Sequence, residues 1–151
     1  MLRTQFTEAV KTAMKAHDAP AVSTLRMIQS TLKDRDIAAR GKGNPDGIAE
    51  SEIQQMLQAM IKQRRESAAL YEQGGRPELA AKEIAEVALI EGFLPRQLDE
   101  TAVEQAVVAA IAEAGAVTGK DMGRVMALLR ERHAGQMDFG KASGVAKKLL
   151  G

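Results

Sequence analysis

The chain has 151 residues, of which 45% are hydrophobic and 27% charged, and its formal net charge is +1. This composition supports a buried core and excludes a disordered chain, and a charge so near zero does not by itself indicate a nucleic-acid or membrane partner. There is no cysteine, which excludes disulfides and thiolate metal sites, and with only two histidines we expect no metal. No secretory signal is evident and no apolar run approaches the ~18 residues of a membrane span, so we expect a soluble cytoplasmic protein.

Apolar residues recur at helical spacing along the whole chain and alternating strand patterns are absent, which predicts an all-α fold. The N-terminal part of the chain is predicted to contain four helices. The second helix begins at Pro20, the third runs from about Glu50 to Gly74, and the fourth begins at Pro77. The segment Arg40–Gly47, RGKGNPDG, is rich in turn residues and predicts a loop between the second and third helices.

The helical pattern is interrupted at Gly92–Leu98, GFLPRQL. A residue before proline avoids the helical region of backbone space, so the chain is expected to become extended at Leu94. We predict a domain boundary here, with an N-terminal four-helix domain at 1–93 and a small C-terminal three-helix domain at 94–151. Three shorter apolar stripes follow this boundary, and the short connections between them are typical of a three-helix unit.

Two charged residues fall within the predicted apolar stripes of the third and fourth helices. They are Arg64 and Glu83, and opposite charges facing inwards on consecutive helices predict an ion pair between them. A carboxylate held by arginine has a lowered pKa and is a poor proton shuttle at neutral pH, so we interpret the pair as structural and predict no catalytic residue. Lys62 and Arg65 lie on the same helix among acidic neighbours, which favours a solvated face over an RNA contact.

The stretch Gly115–Lys120 reads G-x-x-x-G-K, one residue short of a phosphate-binding loop. A helical pattern precedes it where a phosphate loop requires a strand, and Asp121 occupies the place of the hydroxyl that would hold magnesium. The stretch therefore predicts a helix end at Gly115 and a new helix capped by Thr118, with Thr118 and Asp121 as a capping box. We expect no nucleotide cofactor.

The last third of the chain is basic, with seven lysines and arginines against three acidic residues from Thr118 onwards. Lys141, Gly144 and Lys148 share one side of the last helix, and glycine allows a phosphate backbone to come close. The alternative is an ordinary solvated face that binds nothing. From this pattern alone the solvated face is favoured, and the candidate nucleic-acid interface consists of Lys120, Arg124, Lys141, Gly144, Lys147 and Lys148.

The chain resembles the YqeY family in four stretches, which are LRMIQSTLKDRDIA, IKQRRESAALYEQGGRPELAAKEIAEVALIEGFLPRQL, GKDMGRVMALL and KASGVAKKLL. That family is similar to the C-terminal tail of the B subunit of the glutamine-dependent tRNA amidotransferase. The resemblance implies an all-helical fold and tRNA recognition through the two basic stretches. It also implies tRNA as a partner, together with an amidotransferase or another translation-related protein. The amidation chemistry belongs to domains and subunits that this sequence does not contain.

We therefore expect a non-catalytic tRNA-binding module that assists tRNA-dependent amidation or a related step of tRNA metabolism. Two alternatives stay open at this point. One is a protein-interaction adaptor that does not bind RNA directly. The other is an accessory part of a carbon–nitrogen ligase with glutamine as the amide donor, which would need a glutamine-hydrolysing or ATP-binding site for which the sequence shows no motif.

Overall fold

The computed structural model describes residues 1–151 and is all-helical, as the periodicity predicts. A short 3₁₀ helix, Gly119–Asp121, leads directly into the sixth α-helix. The chain divides into two compact units, Met1–Leu94 and Pro95–Gly151. The α-helices are α1 (Leu2–Lys15), α2 (Ala19–Gly41), α3 (Glu50–Gln73), α4 (Pro77–Glu91), α5 (Glu100–Ala114), α6 (Met122–Arg132) and α7 (Phe139–Leu150).

Local chemistry fixes several of the helix ends. Asp18 caps α2 by accepting a hydrogen bond of 3.2 Å from the backbone N–H of Ala21, with Pro20 in the first turn. Asp99 caps α5 in the same way through Ala102 at 2.7 Å. Gly115 ends α5 in the left-handed conformation, with φ of 62°, which glycine adopts without steric cost. The predicted end of α5 at Gly115 is thereby confirmed.

The first unit consists of two helical hairpins, α1 with α2 and α3 with α4, which share one apolar core. Phe6 of α1 contacts Phe93 edge-on, with ring centroids 4.9 Å apart, so the segment after α4 is held against the first helix. Burial of large apolar side chains away from water is the main stabilising contribution to this unit. Its most deeply buried large side chains are Phe6, Ile28, Ile53, Met56, Leu57 and Ile90.

A buried carboxylate ties the start of α1 to the end of α2. Asp36 is 6% exposed and accepts two hydrogen bonds from the Arg3 guanidinium and one of 2.9 Å from the backbone N–H of Ile48. The bonds from Arg3 lower the pKa of Asp36 to about 2, although burial acts in the opposite direction. A Cβ at Gly47 would lie 2.3 Å from an oxygen of Asp36, so this position of the loop requires glycine.

Arg64 is buried as predicted, but its partner is Glu86 and not Glu83. The Nε of Arg64 donates to Oε2 of Glu86 at 3.0 Å, and the same guanidinium also donates to the carbonyl of Met60 and contacts the sulfur of Met27 on α2. Arg64 and Glu86 are the same number of residues before and after Gly75, at the tip of the α3–α4 hairpin. The antiparallel register therefore sets Glu86 level with Arg64, whereas Glu83 lies nearer the tip.

In the second unit each of α5, α6 and α7 packs against the other two. The segment before α5 is fixed by two hydrogen bonds, from the Leu98 N–H to the Gln136 carbonyl at 2.9 Å and from the Gln97 amide to the Gly135 carbonyl at 2.5 Å. The buried core of this unit consists of Val107, Ala110, Val125, Met126, Leu129, Met137, Ala142 and Ala146.

No single helix of the chain is long and apolar enough to cross a membrane. One bent pair, α5 with Gly119–Arg132, reaches that standard by length and composition alone.

Candidate nucleic-acid interface

The G-x-x-x-G-K stretch forms a capped turn and not a phosphate loop. The backbone N–H of Lys120 donates to the hydroxyl of Thr118 at 3.3 Å, and the N–H groups of Val117 and Thr118 donate to Oδ2 of Asp121 at 2.9 and 3.2 Å. The predicted capping box between Thr118 and Asp121 is confirmed. These N–H donors are already satisfied within the protein, so an anion near this turn would be bound by side chains.

Arg124 is exposed but is engaged by its own turn of helix. Its Nη2 lies 2.5 Å from Oδ1 of Asp121, three residues earlier. The bond from the Val117 N–H, followed by those from Arg124 and Thr118, lowers the pKa of Asp121 to about 2. The carboxylate is therefore ionised at neutral pH, and it offsets part of the charge of Arg124.

The outer face of α7 carries lysines around a central glycine. The helix buries Ala142 and Ala146, and at about 100° per residue Gly144 lies almost opposite them. Lys141 and Lys148 lie on one side of Gly144, and Lys147 lies on the other side. All four residues are exposed. The helix contains no acidic residue and none of these lysines makes an ion pair, so the structure brings four of the six predicted interface residues together on one continuous surface.

Two of the lysines are at helix starts, where a positive charge is unfavourable. Lys120 lies in the 3₁₀ turn that leads into α6, and Lys141 lies in the first turn of α7. The helix dipole leaves partial positive charge at this end, so a cation there costs a few tenths of a kcal/mol or more. By contrast, Lys147 and Lys148 lie in the last turn of α7, where they complement the dipole. The helix dipole therefore favours Lys147 and Lys148 and disfavours Lys120 and Lys141, and the carboxylates of Asp121 and Asp138 at the two helix starts offset part of that cost.

A short motif recurs at both helix starts, and the sequence analysis did not detect it. Gly119–Gly123 reads G-K-D-M-G and Gly140–Gly144 reads G-K-A-S-G, and each is followed at the same distance by a Leu-Leu pair. A Cβ added at Gly119, Gly123 or Gly144 would meet no atom within 4 Å, so internal packing does not require glycine at these three positions. Comparison of the two segments in register would have revealed the motif.

Two further arginines of this unit, Arg132 and Arg130, are engaged in internal contacts. Arg132 pairs with Glu113 across α5 and α6, which lowers the pKa of Glu113. Arg130 lies over the ring of Phe139, 5.7 Å from its centroid, in a cation–π contact that leaves its positive charge in place. Of the six predicted interface residues, the cations that form no ion pair are therefore Lys120, Lys141, Lys147 and Lys148.

The outer face of α7 presents the ammonium groups of three lysines around Gly144. Lysine is a compact point charge that binds phosphate oxygens without reading bases, and the exposed glycines leave the helix backbone open to close approach. Arg124 and Lys120 stand at the start of α6, and the other four predicted residues lie on α7, which packs against α6. This arrangement of lysines and exposed glycines is suited to binding the phosphate backbone of a polyanion.

Comparison with known proteins identifies one family. A family model described as Yqey-like protein matches residues 3–150, essentially the whole chain. None of the curated proteins matches the sequence. The match extends over both compact units, so the similarity is not confined to the basic stretches.

Proposed function

The chain belongs to the YqeY family, and we propose that it is a non-catalytic tRNA-binding module that assists tRNA-dependent amidation or a related step of tRNA metabolism. In this proposal the two compact units are separate domains, with four helices in the first and three in the second. The C-terminal domain contacts the tRNA backbone, and an amidotransferase or another translation-related protein is the second partner. The protein acts in the cytoplasm.

The observation that carries the proposal is the outer face of α7. It combines Gly144 at its centre with three lysines that form no ion pair, and the one carboxylate at this helix, the N-cap Asp138, is bonded to the backbone N–H groups of Gly140 and Lys141. A solvated face that serves only solubility usually mixes both signs of charge. A row of positive charges with a glycine at its centre favours an anionic partner, because the partner can approach the helix backbone closely at the glycine.

Two local stability costs on this surface support the same conclusion. Lys120 and Lys141 oppose the helix dipole, and Gly144 lies mid-helix in ordinary helical conformation with room for a side chain. Glycine at an exposed helical position costs about 1 kcal/mol relative to alanine. Neither cost benefits the isolated fold, and both are offset where a phosphate backbone lies against the helix.

The chemistry favours a structured RNA over sequence-specific recognition. The chain has three phenylalanines, one tyrosine and no tryptophan, which is too few for a platform of stacked bases. Double-helical RNA is recognised through its shape and backbone, which is the mode that lysine point charges allow. The resemblance to the amidotransferase tail supports tRNA as the particular RNA.

The test is the affinity of the purified chain for total tRNA and for duplex DNA of equal length, at low and near-physiological salt. The variant K120Q/K141Q/K148Q removes three unpaired cations of the surface. The matched control K62Q/R76Q/K82Q removes three exposed, unpaired cations of α3, of α4 and of the turn between them, with the same change in net charge. Glutamine is a good helix former, so both sets preserve helical propensity.

We expect saturable tRNA binding that persists at the higher salt and exceeds DNA binding. We expect the affinity of K120Q/K141Q/K148Q for tRNA to fall at least tenfold, with the control variant close to the wild type. Equal loss in both triple variants would show a dependence on net charge alone and would refute the proposed surface. Equal binding to tRNA and DNA that disappears at physiological salt would refute tRNA recognition.

A further inference from the structure

A second row of cations runs along α2, in the unit that the proposed tRNA interface does not include. Arg26, Lys33 and Arg40 are seven residues apart, and seven residues are close to two helical turns, so the three lie in one line on the outer face. All three are exposed and none makes an ion pair. At 1.5 Å per residue the row is about 21 Å long, more than half the length of one duplex turn.

The acidic residues of α2 do not neutralise this row. Asp36 faces the core and is bound by Arg3, and although it is near enough for Arg40 to contribute to its low pKa, no ion pair joins the two. Asp34 is exposed and makes no ion pair with the row, and it lies about 100° around the helix from Lys33, on the side of Ser23 and Ser30. By contrast, the neighbouring arginines of α3 are both paired, Arg64 with Glu86 and Arg65 with Glu91.

Charge is also segregated between the two hairpins of this unit. Residues 1–42, which contain α1 and α2, have eight lysines and arginines and four acidic residues. Residues 43–94, which contain α3 and α4, have five lysines and arginines and nine acidic residues. The unit therefore presents a basic hairpin beside an acidic one, although the chain as a whole is nearly neutral. The segregation leaves a positive field along α2 that extends to approaching anions.

Polar donors accompany the row. Ser23 and Ser30 are exposed and are also seven residues apart, on a line next to the cations. The N-terminal end of the row opens into a groove of about 600 Å³ at the corner between α1 and α2. The polar residues His17, Ser23 and Arg26 line this groove together with Met14, Ala19 and Val22. His17 has a φ of 53°, in the left-handed region that few side chains adopt. Hydroxyl, imidazole and guanidinium groups all donate hydrogen bonds to phosphate oxygens.

The apolar face of α2 is already occupied, which argues against a membrane as the partner. Leu25, Ile28 and Leu32 are buried in the core of the unit. An interfacial helix must insert its apolar face among lipids, and α2 cannot do so without unfolding the unit. An evenly spaced line of cations with intervening hydroxyls fits instead a ligand whose negative charges recur along an extended backbone.

We propose that Arg26, Lys33 and Arg40 of α2 form a second RNA-backbone contact, on the N-terminal unit, with the groove at His17 receiving a phosphate at its end. This inference rests on the proposed function, because it assigns a further surface to the same class of ligand. It assigns RNA contacts to the first third of the chain as well as to the last third.

The experiment compares R26Q/K33Q/R40Q with the control K62Q/R76Q/K82Q in titrations with total tRNA over a range of salt concentrations. Circular dichroism and thermal unfolding establish that both variants are folded. We expect R26Q/K33Q/R40Q to bind tRNA about tenfold more weakly, with the slope of log affinity against log salt reduced by roughly 2 to 3. The control variant keeps the wild-type slope.

Measuring the tRNA affinity of K120Q/K141Q/K148Q as well distinguishes the contribution of the α2 row from that of the α6–α7 surface. If only that variant loses affinity, the α2 contact is refuted and the proposed function stands. If only R26Q/K33Q/R40Q loses affinity, the α2 contact is supported and the α6–α7 surface is refuted. A folded R26Q/K33Q/R40Q with unchanged tRNA binding overturns the inference, as does α2-dependent binding to vesicles containing phosphatidylserine or to polyglutamate as strong as that to tRNA.

Discussion

Arg64 and Glu86 lie level with each other across the α3–α4 hairpin and form an ion pair with both side chains largely buried, at 7% and 18% exposed. The guanidinium also contacts Met27, so this one side chain connects three helices. An inward charge of this kind is tolerated because it is paired and hydrogen-bonded. It specifies how α3 and α4 are aligned more than it adds to net stability.

Replacing Arg64 with methionine is predicted to leave Glu86 without its partner at a mostly buried site. We expect R64M to reduce the free energy of unfolding by about 3 kcal/mol, because an uncompensated charge is costly in the interior. In the double variant R64M/E86M both charges are removed, and we expect most of the loss to be restored. Urea unfolding followed by circular dichroism measures both. A double variant no more stable than R64M would contradict this account.

The Arg3–Asp36 pair predicts how stability depends on acid pH. The pKa of Asp36 is lowered in the folded protein to about 2 from 3.8, so its ionised form stabilises the fold above about pH 4. This contribution is lost as the pH falls from about 4 to about 2, where the carboxylate takes up a proton. We expect the free energy of unfolding to fall over that interval in the wild type.

The variant D36N isolates this contribution, because other carboxylates also have low pKa values. We expect D36N to be less stable at neutral pH and to show a shallower decrease between pH 4 and pH 2 than the wild type. Thermal unfolding in a series of buffers measures the difference between the two proteins. If that difference is the same at every pH, Asp36 does not titrate with folding and the ion pair is not the cause.

The sequence was sufficient for the helical elements, since helix ends are fixed by neighbouring residues. The predicted starts at Glu50 and Pro77 are confirmed, because capping and proline geometry act within one turn. The inward direction of Arg64 is confirmed too. Its partner was predicted wrongly, because helical spacing gives an angle around each helix and not the level at which two helices meet.

The pattern also could not show which apolar side chains a neighbouring helix covers. Met14, Ile84 and Leu149 have the spacing of their buried neighbours but are about half exposed. Asp36 was missed for the opposite reason, since it continues the i, i+4 series of Ile28 and Leu32 but is a carboxylate. Its burial depends on Arg3, which is distant in sequence, so only the folded chain reveals the site.

Asp121 limits the charge of the candidate interface by pairing with Arg124. The substitution D121N removes the negative charge and keeps an oxygen that can accept the backbone N–H bonds of the capping turn. We expect tRNA affinity at low salt to rise roughly two- to threefold, because one more cation becomes free. The pKa of Asp121 is about 2, so the gain should be constant across neutral pH.

The control for this prediction is the double variant D121N/R124Q, in which the released cation is absent. We expect its tRNA affinity to return to about the wild-type value. A D121N protein that is folded and binds tRNA no more tightly than the wild type would place Arg124 outside the interface. The measurement is the same fluorescence anisotropy titration with total tRNA.

Substitution of Gly144 tests whether this residue serves folding or binding. A Cβ at this position meets no other atom within 4 Å, and the residue lies in the middle of α7. We therefore expect G144A to raise the free energy of unfolding by about 0.5 to 1 kcal/mol, because alanine loses less conformational entropy in a helix. If a phosphate backbone lies against Gly144, the same methyl group holds it away, and tRNA affinity falls severalfold while stability rises.

A rise in the free energy of unfolding together with a fall in tRNA affinity is the informative result, because a misfolded variant would lose both. S143A, on the adjacent and partly buried position of α7, serves as the control, and we expect it to leave tRNA affinity within twofold of the wild type. Thermal unfolding and tRNA titration of the same samples give the two values. A stabilised G144A that binds tRNA as tightly as the wild type would show that the ligand does not approach the α7 backbone, and the interface would then be formed by the lysine side chains alone.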